Sequence, residues 1–169
     1  MQDNVDSESD IQGNKDIALR WVAASVAGDA VASRSLFAPD CAILIVGDMP
    51  FCGWMDVDGF FRQTMILPLD GPIRFEVGAM VSEGDRVWFE AQSSAKLVGG
   101  QDYRNVYIFQ MRLRDGLIVE YKEFGDTLHA WRLIDDPAVR GEPQSRAPLF
   151  HEATFSFVGG AIGEAMREA

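Results

Sequence analysis

The chain has 169 residues, 47% of them hydrophobic and 24% charged, with 26 acidic against 15 basic side chains and a formal net charge of -11. That length suits one domain, which buries about 70% of its unfolded surface without help from disulfides or a structural metal. The acidic balance argues against nucleic acid and anionic membranes, both of which call for clusters of Lys and Arg.

Residues 1–12 are acidic and polar and read as a disordered tail. The N-terminus lacks the basic-then-apolar pattern of a secretory signal, and no apolar run reaches the roughly 18 residues of a membrane span, so a cytoplasmic location is expected. Ile17, Trp21, Ala24 and Ala27 recur at helical spacing and predict a helix over 14–27, closed by Gly28. Asp29 caps a second short helix that ends near Phe37, and Ala38-Pro39-Asp40 reads as a turn. Cys41 to Val46 is a short β-branched strand, followed by a loop to Gly53. Asp56 or Asp58 then caps a third helix carrying Phe60, Phe61, Met65 and Leu67.

From Ile73 to about Leu133 the pattern is one of antiparallel strands: 73–82, 86–97, 103–113 and 117–126. Turns fall at Glu83-Gly84-Asp85, Gly99-Gly100 and Asp115-Gly116, the last being a strong hairpin signal. Helices first and a curled antiparallel sheet afterwards make an α+β domain over 13–134. Residues 135–169 form an extension: a charged, Pro-containing linker, then an apolar stretch with Phe150, Phe155 and Phe157 that is expected to pack on the domain or on a partner chain.

The chemistry concentrates on the last two strands. Tyr103, Asn105, Tyr107, Phe109 and Met111 alternate onto one face, which should point inward. Asn105 there is a buried polar group that needs a partner, either a guest's oxygen or the core itself. Asp126 stands where an apolar strand runs out. A carboxyl walled by aromatic rings loses hydration, its pKa rises, and it exchanges protons near neutrality. The same residue can instead accept backbone N–H bonds and cap the following turn. Strict alternation places Glu123 on the opposite face from Asp126, as a surface acid in salt bridges, unless a bulge at Gly125 intervenes.

Trp21, Phe51 and Trp54 are candidate walls of a binding site, with Phe51 and Trp54 at its mouth. His129 is a candidate second proton carrier or a structural residue. The two cysteines, Cys41 and Cys52, and the two histidines, His129 and His151, lack metal-ligand spacing, so no metal is expected. No phosphate loop, nucleophile elbow or dinucleotide fingerprint is present, so no cofactor is expected.

Glu83-Gly-Asp-Arg-Val87, Tyr103-x-Asn105-x-Tyr107, Asp115-Gly116-x-Ile118 and Glu123-Phe-x-Asp126-Thr127, in that order, resemble the nuclear transport factor 2-like superfamily and within it the SnoaL-like polyketide-cyclase group. The resemblance covers about Asn14 to Leu133. It implies a cone-shaped curved antiparallel sheet, of the cystatin-like or nuclear transport factor 2-like type, packed on N-terminal helices around an apolar cavity. It also implies a small apolar oxygenated guest and a homodimer through the outer sheet face. In cyclase-like relatives the carboxylate matching Asp126 acts as general acid or base. With Asn105 and Tyr107 holding a polarised oxygen and Tyr103 nearby, that implies cofactor-independent cyclase, isomerase, dehydratase or hydrolase chemistry. A non-catalytic binding or dimerisation module is the alternative. Two patterns are absent: Arg104 is followed two residues later by Val106, not by the Asp of an epoxide-hydrolase pair, and Ile43-Leu-Ile-Val46 lacks the isomerase base, unless Asp48 in the following loop substitutes.

Overall fold

The computed structural model describes residues 8–63 and 67–133. Met65 and the expected extension over 135–169 lie outside them. Helix α1 (Glu8–Val26) begins earlier than the periodicity predicts. Its close is the predicted one. Gly28 takes a left-handed φ of 67°, and the Asp29 N–H reaches back to the Ala24 carbonyl at 2.9 Å, the long bond of a Schellman motif. Asp29 then caps α2 (Ala30–Arg34), its carboxylate accepting from the Ala32 N–H at 2.8 Å.

Strand β1 (Phe37–Val46) starts four residues before the predicted Cys41. Pro39 lies inside it and is tolerated because the ladder to the neighbouring strand is broken between Phe37 and Ala42, where no N–H is needed. A short β2 (Gly53–Met55) pairs with β1. Helix α3 (Val57–Gln63) is capped by Asp56, which accepts from the Gly59 N–H at 2.6 Å. Strands β3 (Arg74–Glu83), β4 (Arg86–Lys96), β5 (Asp102–Arg114) and β6 (Leu117–Gly125) form the expected meander. Asp115 and Gly116 both have positive φ, 53° and 78°, as the tight β5–β6 turn requires.

The six strands form one curved sheet in the order β2-β1-β6-β5-β4-β3. It is mixed, not wholly antiparallel, because β1 runs parallel to β6. A long excursion of chain separates these two strands, so no hairpin forces them to oppose. Helix α1 packs on β3 and β4, and α3 packs on β1. Between them lies an aromatic core centred on Phe109, with the rings of Tyr107, Phe89 and Trp21 at 5.0, 5.1 and 5.2 Å. Among the described residues no helix is long and apolar enough to cross a membrane.

The segment after β6 corrects the reading of strands to Leu133. Thr127–Leu133 is a helix, α4. Its start was visible in the sequence as an Asp followed by a run free of Gly and Pro.

Candidate active site

One irregularity decides which acid faces the cavity. The β5–β6 hairpin starts with Arg114 opposite Leu117 and Leu113 opposite Ile118, but Arg112 then lies opposite Glu120. Val119 is the extra residue of a bulge, and every later side chain of β6 changes face. Phe109 therefore pairs with Glu123, and Tyr107 with Gly125. Cross-strand partners share a face, so Glu123 joins the inner aromatic row. In unbroken register it would have opposed Ile108 on the outside. The expectation of a surface acid in salt bridges is overturned here, because the bulge sits at Val119 and not at Gly125.

The inner face encloses a cavity of about 380 Å³, walled by Trp21, Phe60, Phe75, Phe109, Tyr121 and Glu123 among others. A smaller lobe of about 110 Å³ adjoins it, lined by Ile45, Phe51, Tyr103 and Asn105. Phe60, Leu67, Tyr107 and Glu123 border both lobes, so the carboxyl stands where a guest in either lobe meets it. Burial pushes the Glu123 carboxyl up to about 7, against the opposing pull of the Tyr121 hydroxyl, which donates to Oε2 at 3.0 Å.

A hydroxyl chain completes the polar content. Asn105 Nδ2 donates to the Tyr103 hydroxyl at 3.0 Å, and the Tyr103 and Tyr107 hydroxyls lie 2.8 Å apart. Ser93 donates to the Tyr107 oxygen at 3.3 Å. The bond between the two tyrosines can run either way; with Tyr103 as its donor, and Asn105 and Ser93 donating from the two ends, the Tyr107 proton is left for the cavity. Burial raises the pKa of Tyr103, Tyr107 and Tyr121, so all three remain O–H donors.

The chain matches the profile of the SnoaL-like domain over residues 18–121. It belongs to the SnoaL-like domain family. The fold of this SnoaL-like domain is shared with several solved structures. One is a nuclear transport factor 2-like protein of unknown function from Burkholderia pseudomallei, with a TM-score of 0.65 and 17% identity over 73% of this chain and 98% of that one. A second is TerC, co-crystallised with polyporic acid, with a TM-score of 0.63 and 19% identity over 73% and 99%. A third is a candidate SnoaL-like polyketide cyclase from Jannaschia, with a TM-score of 0.63 and 18% identity over 78% and 98%. At these identities the likeness is one of fold. No protein of curated function matches the sequence significantly.

The other predicted residues of this SnoaL-like domain divide by face. Tyr103, Asn105 and Tyr107 come together in the small lobe, with Phe51 beside them, and Trp21 walls the large one. Asp126 does not join them. It is exposed, and its Oδ1 accepts from the His129 N–H at 2.9 Å as the cap of α4. Asn105 is occupied with backbone: its Oδ1 accepts from Asp126 N–H at 3.1 Å and its Nδ2 donates to the Asp126 carbonyl at 3.3 Å. Gly125 leaves room for the Tyr107 ring, which lies 3.0 Å from where a Cβ would be. Trp54 sits on the outer face, its ring 5.7 Å from the Lys122 ammonium. His129 stacks on Tyr103, with ring centroids 6.0 Å apart, and lines a separate polar recess with Arg104 and Glu76. Among the described residues no three His, Cys, Asp or Glu side chains gather as metal ligands. Cys41 and Cys52 are free and buried, and burial raises both thiols, Cys41 to about 12.

Proposed function

We propose that this SnoaL-like protein binds a small apolar oxygenated molecule in the two-lobed cavity and moves a proton on it without a cofactor. Glu123 is the acid/base group, in the role that the strand-end position first suggested for Asp126. The observation that carries the reading is a carboxyl with a pKa of about 7 at the junction of two aromatic-walled lobes. Near neutral pH both protonation states are populated, the condition for efficient general acid–base work.

In the step envisaged, the Glu123 carboxylate takes the proton from the carbon beside a guest carbonyl. The C–H electron pair becomes the new carbon–carbon π bond, and the carbonyl π pair moves onto oxygen. The Tyr107 hydroxyl, oriented by Tyr103 and Ser93, donates to that oxygen as charge grows. Glu123 then returns the proton to carbon or oxygen. Asn105 is a positioning residue: it orients Tyr103 and pins the strand end. Aldol-type cyclisation, and isomerisation or dehydration beside a carbonyl, can pass through such an enolate, and TerC, a protein of this fold, was co-crystallised with polyporic acid.

A proton-exchange assay tests this. In D2O, the protein is expected to speed hydrogen–deuterium exchange at the carbon beside the carbonyl of α-tetralone, with a rate that climbs as pH rises through about 7. Glu123→Gln should lower the rate at least a hundredfold, the lower range for a positioned base. Equal rates in the two proteins would leave the non-catalytic binding module as the better reading. We infer also that two copies pair through the outer sheet face, where Val106 is 59% exposed, Trp88 39% and Ile108 38%, with Trp88 stacked on Phe124.

A further inference from the structure

The large lobe meets solvent between the α1–α2 turn, where Gly28, Asp29 and Ala30 are exposed, and an apolar rim of Phe61, Leu67, Leu69, Ile73 and Phe75. Each of those rim side chains is only half-buried. A band of aromatic and aliphatic surface is thus left partly wet at the mouth of the cavity, and covering it would be favourable. Helix α4 ends beside this band. Leu133, its last residue, packs on the same small cluster of Leu97, Tyr103 and Ala130 as do Leu67, Leu69 and Ile73. The chain therefore leaves the domain on the inner side of the sheet, at the edge of the mouth. A charged linker over 134–148 follows, and then residues 149–158, where Leu149, Phe150, Phe155, Phe157 and Val158 are accompanied by a single acid, Glu152.

We propose that residues 149–158 dock on this rim and cover the mouth of the large lobe in their own chain. Reach is no obstacle. A linker of about 15 residues spans about 20 Å as a flexible coil and up to about 50 Å when extended, well beyond the width of a lobe of about 380 Å³. Phe155 and Phe157 find on the rim the apolar partners that solvent denies them. The outer sheet face lies on the other side of the strands from the exit point, so the rim is the nearer apolar surface. The docking itself needs only the rim. Its use, to hold a guest in and keep water from Glu123, rests on the ligand-binding reading of the cavity.

A spin label on the full chain tests the docking. Cys41 and Cys52 are buried, so a nitroxide goes to the thiol introduced by Ala153→Cys, and reagent-treated wild type is the control. The label should strongly broaden the methyl resonances of Leu67, Leu69 and Ile73 and leave those of Val81 and Ile108, on the outer face, largely sharp. A mixture of spin-labelled chains with isotope-labelled, spin-free chains should show no such broadening, because the contact lies within one chain. Broadening of the outer-face methyls instead, broadening that persists in the mixture, or none at all would overturn the proposal. A second arm reads the closure. A guest leaves only while the mouth is open, so a segment docked about nine-tenths of the time slows release about tenfold. The double variant Phe155→Ser, Phe157→Ser should therefore release α-tetralone about tenfold faster than wild type in stopped flow, and equal rates would overturn the closure. Failure of α-tetralone to bind wild type would count against the binding reading, while the label still decides where the segment docks.

Discussion

Glu123 is a carboxyl whose proton the fold holds harder than water does. Its pKa of about 7 lies above the ordinary value of 4.5, so between those values the folded chain binds a proton that the unfolded chain has released. The resulting stabilisation is full below about pH 4.5 and is lost as pH rises through about 7. Glutamine has nearly the same shape and stays neutral throughout. Glu123→Gln should therefore match the wild type at pH 4 and exceed it at pH 8, by up to about 3 kcal/mol, the linkage equivalent of the shift. Urea unfolding at the two pH values measures this. A variant that gained nothing between pH 4 and pH 8 would show that the carboxyl is well solvated. Such a cost in stability is what a site that keeps an acid out of water is expected to carry.

At the scale of elements, the β6–α4 junction separates two acids that lie three residues apart. Asp126 belongs to the helix: it caps α4 through the His129 N–H, and Asn105 braces the backbone behind it. Asp126→Ala should cost about 1 kcal/mol of stability as a lost cap and leave exchange at the α-tetralone carbon within about twofold of wild type. A loss like that of Glu123→Gln would return Asp126 to the chemistry. The four strands of the meander, the cap at Asp29, a cap at Asp56 or Asp58 and the Asp115-Gly116 turn were legible, since each rests on local patterning or turn chemistry, whereas the first residues of β1, the short β2 and helix α4 were not. That Glu123 and Asp126 take opposite faces was legible too. Which of the two faces inward was not, because one extra residue at Val119 inverts the whole strand beyond it. Neither Ile118 nor Val119 announces a bulge, for both are buried β-branched residues. The same inversion puts Lys122 on the outer face beneath Trp54, whose own face is set by its pairing with Leu44 of β1.

As a whole, the molecule is a curved sheet with two different faces. The inner one is closed by α1 and α3 around the cavity, and the outer one exposes Val81, Trp88, Val106 and Ile108. Pairing through the outer face would cover those side chains without obstructing the cavity. Sedimentation is expected to give a dimer for the wild type and a monomer for Val106→Glu, which sets like charges against each other across the pair. A monomeric wild type would rule the pairing out. The proposed chemistry needs a proton carrier inside the cone, and carbon-13 NMR of protein labelled at the glutamate carboxyls detects it. One glutamate should titrate near pH 7, and its resonance should be missing from the spectrum of Glu123→Gln. If every glutamate titrates in the ordinary range near 4.5, the cavity holds no such carrier and the proposed chemistry is contradicted.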